Sequence, residues 1–174
     1  RRADICAGRH FSESPPAILE SFQRVATIGH GVLCNDSLDE VVRATPAGQA
    51  PAPSFVAALF SAGGGEADLE RARPVPFALQ TNGQWPFATY SASLIEVLPA
   101  DWFAGKTVLV GSIAPYGSDW HTTPLRFAEV THRIEPVDLM PSGKLPGVVI
   151  HAYALSGLIE DRAPHHVSLA RPAG

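Results

Sequence analysis

Residues 105–112 read Gly-Lys-Thr-Val-Leu-Val-Gly-Ser, a compact run of valine and leucine closed by glycines. That is the pattern of a β-strand buried on both faces, and such a strand needs helices above and below its sheet. Helical patterns occur at suitable intervals. Ser54 opens a short helix over 53–62, and Ile150, Ala154, Leu155 and Leu158 share one side of a stretch that begins after Pro146. Two more helices are predicted. One covers 12–26, with Ile18, Leu19, Phe22 and Val25 on one face, and the other covers 91–98 and is stopped by Pro99. Ile28, Val32 and Cys34 alternate as a strand does; a turn at 35–40 and a return through 41–45 complete a hairpin, and Asn82-Gly83 signals another. Strands alternating with helices, together with hairpins, predict an α/β chain: a mixed sheet flanked by helices, forming a single domain over 1–174.

At 174 residues and 45% apolar content, the chain can bury a sizeable core. A formal net charge of -4 without any Lys/Arg block argues against a nucleic-acid partner. No apolar run reaches the roughly 18 residues that span a bilayer, and no signal peptide is visible. The first residue is Arg1, which fits a segment cut from a longer protein, so missing targeting signals say little about location. For Cys6 and Cys34 the expectation is two buried thiols; pairing in an oxidising compartment is the other outcome.

Polar residues that bear on chemistry gather after the 105–112 strand, in Gly-Ser-Asp-Trp-His-Thr-Thr-Pro-Leu over 117–125. Open α/β sheets usually build their sites on such a loop, because strand ends converge there. Ser112 as nucleophile with His121 as base would make a hydrolase, but the Gly-x-Ser-x-Gly elbow is absent. Asp119, His121 and His151 offer oxygen and nitrogen ligands, with Glu135 or Asp138 near in sequence, yet the dense spacing of metal motifs is missing. The structural alternative has Asp119 accepting backbone N–H groups in a tight loop and His121 bonding a carbonyl. His151, after Val148-Val149-Ile150, is either a satisfied core histidine or a residue facing the 117–125 loop. Arg43 binds either an internal carboxylate, the favoured outcome, or an anionic ligand. No phosphate-binding glycine loop is present.

The order of motifs carries more than any one of them. Gly31 to Arg43, Ser54-Phe55, Gly105 to Gly111, Asp119 to Pro124 and Pro146 to Ala152, in that sequence, resemble the second type of CHASE domain, the cyclase/histidine-kinase-associated sensory extracellular domain. The resemblance covers about residues 29–161. It implies a sensor held between membrane segments on the extracytoplasmic face, followed by a cyclase, kinase or phosphatase output domain. The family's N-terminal half, with an early strand and an acidic motif, is not found before Arg1, and the stretch from Arg126 to Leu145 is longer than usual.

The leading expectation is therefore an extracytoplasmic ligand-sensing domain of a bacterial transmembrane receptor, not itself an enzyme. It needs no cofactor or metal, its full-length protein is membrane-anchored, and a homodimer is compatible with it. Its signal is an unidentified small molecule or environmental cue, and its candidate ligand-binding residues are Arg43, Ser112, Asp119, His121, Thr122 and His151. The alternative is a soluble α/β metal-assisted hydrolase using the Asp119/His121 loop. A purely structural dimerisation domain is the third reading.

Overall fold

The structure is a computed structural model, and it describes residues 25–27, 29–46, 53–66, 72–78, 86–114, 119–127 and 143–160. The helix expected at 12–26 lies outside these residues except at its last two positions, and the Asn82-Gly83 hairpin lies wholly outside them.

The first hairpin pairs β1 (Cys34–Asn35) with β2 (Val42–Ala44), antiparallel, with a register shift between Cys34 and Asn35. Its turn is closed by short polar side chains. Asp36 Oδ1 accepts from Leu38 N at 2.9 Å, and Asp39 Oδ1 accepts from Val41 N at 3.2 Å. Asx-type bonding of this kind is what the predicted turn residues do best. Beyond the turn Val41 and Val42 are fully buried.

Helix α1 (Phe55–Ala62) starts where Ser54 accepts from Ala57 N through its hydroxyl at 3.3 Å, an ordinary N-cap. Preceding it, residues 29–31 dock alongside: His30 N donates to Pro53 O, and Phe55 N donates to His30 O, both at 2.9 Å. Gly29 permits that approach, since a Cβ there would lie 2.8 Å from Phe55 Cα.

The second sheet pairs β3 (Trp120–Thr122) with β4 (Lys144–Pro146), antiparallel, and β4 leads directly into α2 (Gly147–Ile159). Helix α2 carries the core. Val149, Ile150, Tyr153, Ala154 and Leu155 are buried with Val42, Val56, Val75, Leu125 and Leu145. Tyr153 is 2% exposed, packs edge-on against Phe87 at 4.9 Å between centroids, and donates its hydroxyl proton to Ala78 O. That bond satisfies the one polar atom a buried tyrosine brings. The burial pushes its phenol pKa up.

The α/β class is as expected, and among the described residues its strands form two antiparallel pairs linked to the helices. Several finer expectations need correction. Residues 105–112 are in no ladder among the described residues; Val108 is 49% and Val110 80% exposed. An apolar run reports what would gain from burial, not whether a neighbouring strand supplies it. Residues 91–98 contain only a single 3-10 turn, Ala92–Leu94, capped by Ser91. Short helices need an apolar face to pack, and Leu94, Ile95 and Val97 remain exposed. The 117–125 stretch expected as loop contains β3, which pairs with β4, and runs into a 3-10 turn at Pro124–Phe127. Cys34 is disulfide-bonded rather than a buried thiol; the only other cysteine, Cys6, lies outside the described residues.

The β3–β4 pair ends on Thr123, the one buried polar residue among those described. Its N and Oγ1 both donate to Gly143 O, at 3.0 and 2.9 Å, while Oγ1 accepts from Leu125 N at 3.3 Å. Gly143 has φ 64°, and a Cβ there would collide with the backbone of Arg126. Thr123→Val keeps the shape and strands a buried amide, so a loss of about 1–3 kcal/mol is expected. That equals a melting shift of about 2–4 °C per kcal/mol for a domain this size. Gly143→Ala should lose at least as much, because the backbone angle and the neighbouring backbone both oppose it. Melts of both variants against wild type test the pair.

Candidate functional site

The 119–125 segment enters β3 with Asp119 and His121 on the same side, as a period of two requires. Asp119 Oδ1 lies 3.0 Å from His121 Nε2, so carboxylate and imidazole are hydrogen-bonded to each other. The carboxylate is also placed by the start of α2. Pro146, at the N-cap, offers no side-chain cap. Asp119 supplies anionic charge from across the sheet instead: its backbone oxygen accepts from Gly147 N at 3.0 Å, and its carboxylate packs on Gly147. A Cβ at Gly147 would sit 2.5 Å from Oδ1, which makes glycine the residue that lets the carboxylate approach. A negative charge at a helix N-terminus is stabilised by the helix dipole.

His151 stands one turn into α2. Its Nε2 is 3.3 Å from Gly31 O, and its ring meets Phe55 edge-on at 5.3 Å between centroids. Burial lowers its pKa; Asp119, His121 and His30 all act on it electrostatically. His30 was not among the residues singled out in the sequence. Its pKa is lowered by burial as well. The only local signal was its position between Gly29 and Gly31, which allows close docking without indicating chemistry. Segment 29–31, the start of α1, β3 and the start of α2 thus converge on three histidines and one carboxylate.

The other candidates fall differently. Thr122 lies in β3 opposite Lys144, half-buried. Ser112 is exposed, and its hydroxyl accepts from Ala114 N at 3.3 Å, a local turn contact. Arg43 has its guanidinium on the hairpin's own carboxylates: Nη2 to Asp39 Oδ2 at 2.6 Å, Nη1 to Asp39 Oδ1 at 2.8 Å and Nη1 to Asp36 Oδ2 at 3.1 Å. This is the internal pairing favoured for it. Among the described residues no group of three or more His, Cys, Asp or Glu side chains is arranged to hold a metal ion.

A family model described as the CHASE2 domain matches residues 7–173, nearly the whole chain. No curated protein and no solved structure matches the chain.

Two outcomes follow from this geometry. Asp119→Asn keeps the side-chain shape and removes the charge from the helix start. For so exposed a carboxylate the expected loss is about 0.3–1 kcal/mol, read by denaturant titration. The bidentate contact with Arg43 holds Asp39 at about 2, against an ordinary 3.8. Its folded value lies below its unfolded one, so the pair's contribution is complete above pH 3.8 and disappears as pH falls toward 2. Carboxyl NMR titration should find Asp39 near 2 in the wild type and near its ordinary value in Arg43→Ala.

Proposed function

This chain belongs to the CHASE2 domain family, a family of extracellular sensory domains, and on that premise we propose that it is the ligand-sensing module of a bacterial transmembrane receptor. The output in this reading is an adenylate or guanylate cyclase, a histidine kinase or a Ser/Thr kinase. The full-length protein is membrane-anchored, and the domain lies on the extracytoplasmic face. The observation that carries it is the family match over nearly the whole chain. Two structural facts support it. Cys34 is disulfide-bonded, and disulfides persist mainly in oxidising compartments. The polar cluster of Asp119, His121, His151 and His30 joins three separate segments, so a molecule bound across it would bridge them.

Such a junction can signal through a population shift. A ligand that binds one arrangement of the segments better than another favours that arrangement by its difference in affinity. The domain itself is read as non-enzymatic. Asp119 and His121 are bonded to each other, but Ser112, the hydroxyl proposed as nucleophile, is engaged on Ala114 N. The signal is a small molecule or environmental cue, and pairing of two copies at the membrane is compatible with this mechanism.

Thermal melts of the chain against a metabolite panel, with Asp119→Ala and His121→Ala alongside, test the reading. A ligand at about a hundred times its Kd should add about 2.7 kcal/mol. For a domain this size that means a shift of roughly 5–10 °C. The shift should vanish in both variants while they still unfold cooperatively. A shift that survives in both would place the ligand elsewhere, and flat melts across the panel would count against a small-molecule signal.

A further inference from the structure

His151 is the only histidine of α2, and it lies where the helix meets segment 29–31 and Phe55 of α1. Gly31 O can only accept, so the 3.3 Å contact requires the proton on His151 Nε2. In the neutral ring Nδ1 is then bare. That nitrogen is buried and has no hydrogen-bond partner among the described residues. The neutral Nε2–H tautomer therefore fits the site, while a second proton on Nδ1 would place a charged donor where no acceptor among the described residues faces it.

We propose that the contact between α2 and segment 29–31 is a proton-dependent latch, closed with His151 neutral and released when Nδ1 is protonated. Burying an unpaired donor is costly, and burying a charged one more so. The groups facing His151 do not offset that cost. Segment 29–31 contributes His30 and the Gly31 carbonyl, β3 contributes His121 with Asp119 just before it, and α1 contributes Phe55, which carries no charge. Gly31 O, which accepts from Nε2, and Asp119 both favour a charged imidazole, but neither reaches Nδ1, and the Asp119 carboxylate is bonded to His121 and packed on Gly147. Burial is the largest influence, and it pulls the His151 pKa below the ordinary 6.5.

The folded-state value being the lower one, the unfolded chain takes up the proton first as pH drops. The latch contributes fully above pH 6.5, and its contribution falls as pH passes from 6.5 toward the folded value. This holds whether or not the domain also takes a small molecule. It makes extracytoplasmic acidity an input in its own right.

Melting the chain from pH 8 to pH 5, beside His151→Gln, tests the latch. A glutamine amide can still donate toward Gly31 O but does not titrate. The wild-type melting temperature should fall more steeply below pH 6.5 than that of the variant, and equal pH slopes would overturn the proposal. Other histidines titrate in both proteins, so the difference between the slopes isolates His151. An NMR titration of the wild-type His151 ring needs no variant. It should show the Nε2–H tautomer at pH 7.5 and a midpoint below 6.5. A midpoint at or above 6.5, or a proton on Nδ1 at neutral pH, would overturn the latch as well.

Discussion

The start of α2 is held by two clamps, and the rest of the fold is arranged around them. One is Thr123, whose amide and hydroxyl both donate to Gly143 O just before β4. The other is Asp119, whose carbonyl oxygen accepts from Gly147 N just after it. Between them Lys144–Pro146 pair with Trp120–Thr122, and Leu145 is wholly buried. A helix as apolar as α2 gains by burying almost any face. Fixing the strand before it decides which face is buried, so Ile150, Tyr153 and Ala154 turn inward together. Hydrophobic burial drives the packing without direction; the four-residue span from Gly143 to Pro146 supplies the direction.

The polar cluster is a consequence of the same junction. Because β4 runs straight into α2, residues at the start of the helix lie beside the start of β3. Asp119 and His121 thereby come close enough to act electrostatically on His151, some thirty residues away in the chain. Segment 29–31 joins through main-chain bonds to Pro53 and Phe55, and these bring His30 to the group. Four elements thus share a boundary where apolar packing gives way to imidazole and carboxylate. A boundary of that kind responds to small changes in charge or occupancy, because buried polar contacts are costly when they are only partly satisfied.

Much of this was legible in the sequence where chemistry is local. Ser54 opens α1 because a serine hydroxyl caps a helix, Asp36 and Asp39 close the first hairpin, and Pro146-Gly147 marks the start of α2. What failed was non-local. Thr107–Gly111 has the composition of a buried strand, but composition does not say which strands lie beside it, and Val110 is open to solvent. The Trp120–Thr122 strand was hidden because the glycines, proline and threonines around it are turn residues. Its pairing with Lys144–Pro146 spans a long connection. Proximity of His30 to His151 is likewise tertiary, carried by Gly29 packing on Phe55 rather than by any spacing in the chain.

A carboxylate and an imidazole two residues apart after a strand resemble part of a catalytic triad, so what separates a brace from a catalyst is where the carboxylate's remaining contacts go. In a triad the acid's purpose is to orient the imidazole toward a nucleophile. Here the acid stands on Gly147, where a larger residue would displace it, at the end of a helix whose own cap position is a proline. The hydroxyl first considered as nucleophile bonds its own turn. Asp119 thus has a structural reason to be acidic that is independent of His121, and His121 gains its orientation from a group already fixed by the helix. Here charge is held at the point of contact between a strand and a helix. Changing that charge therefore alters the contact itself.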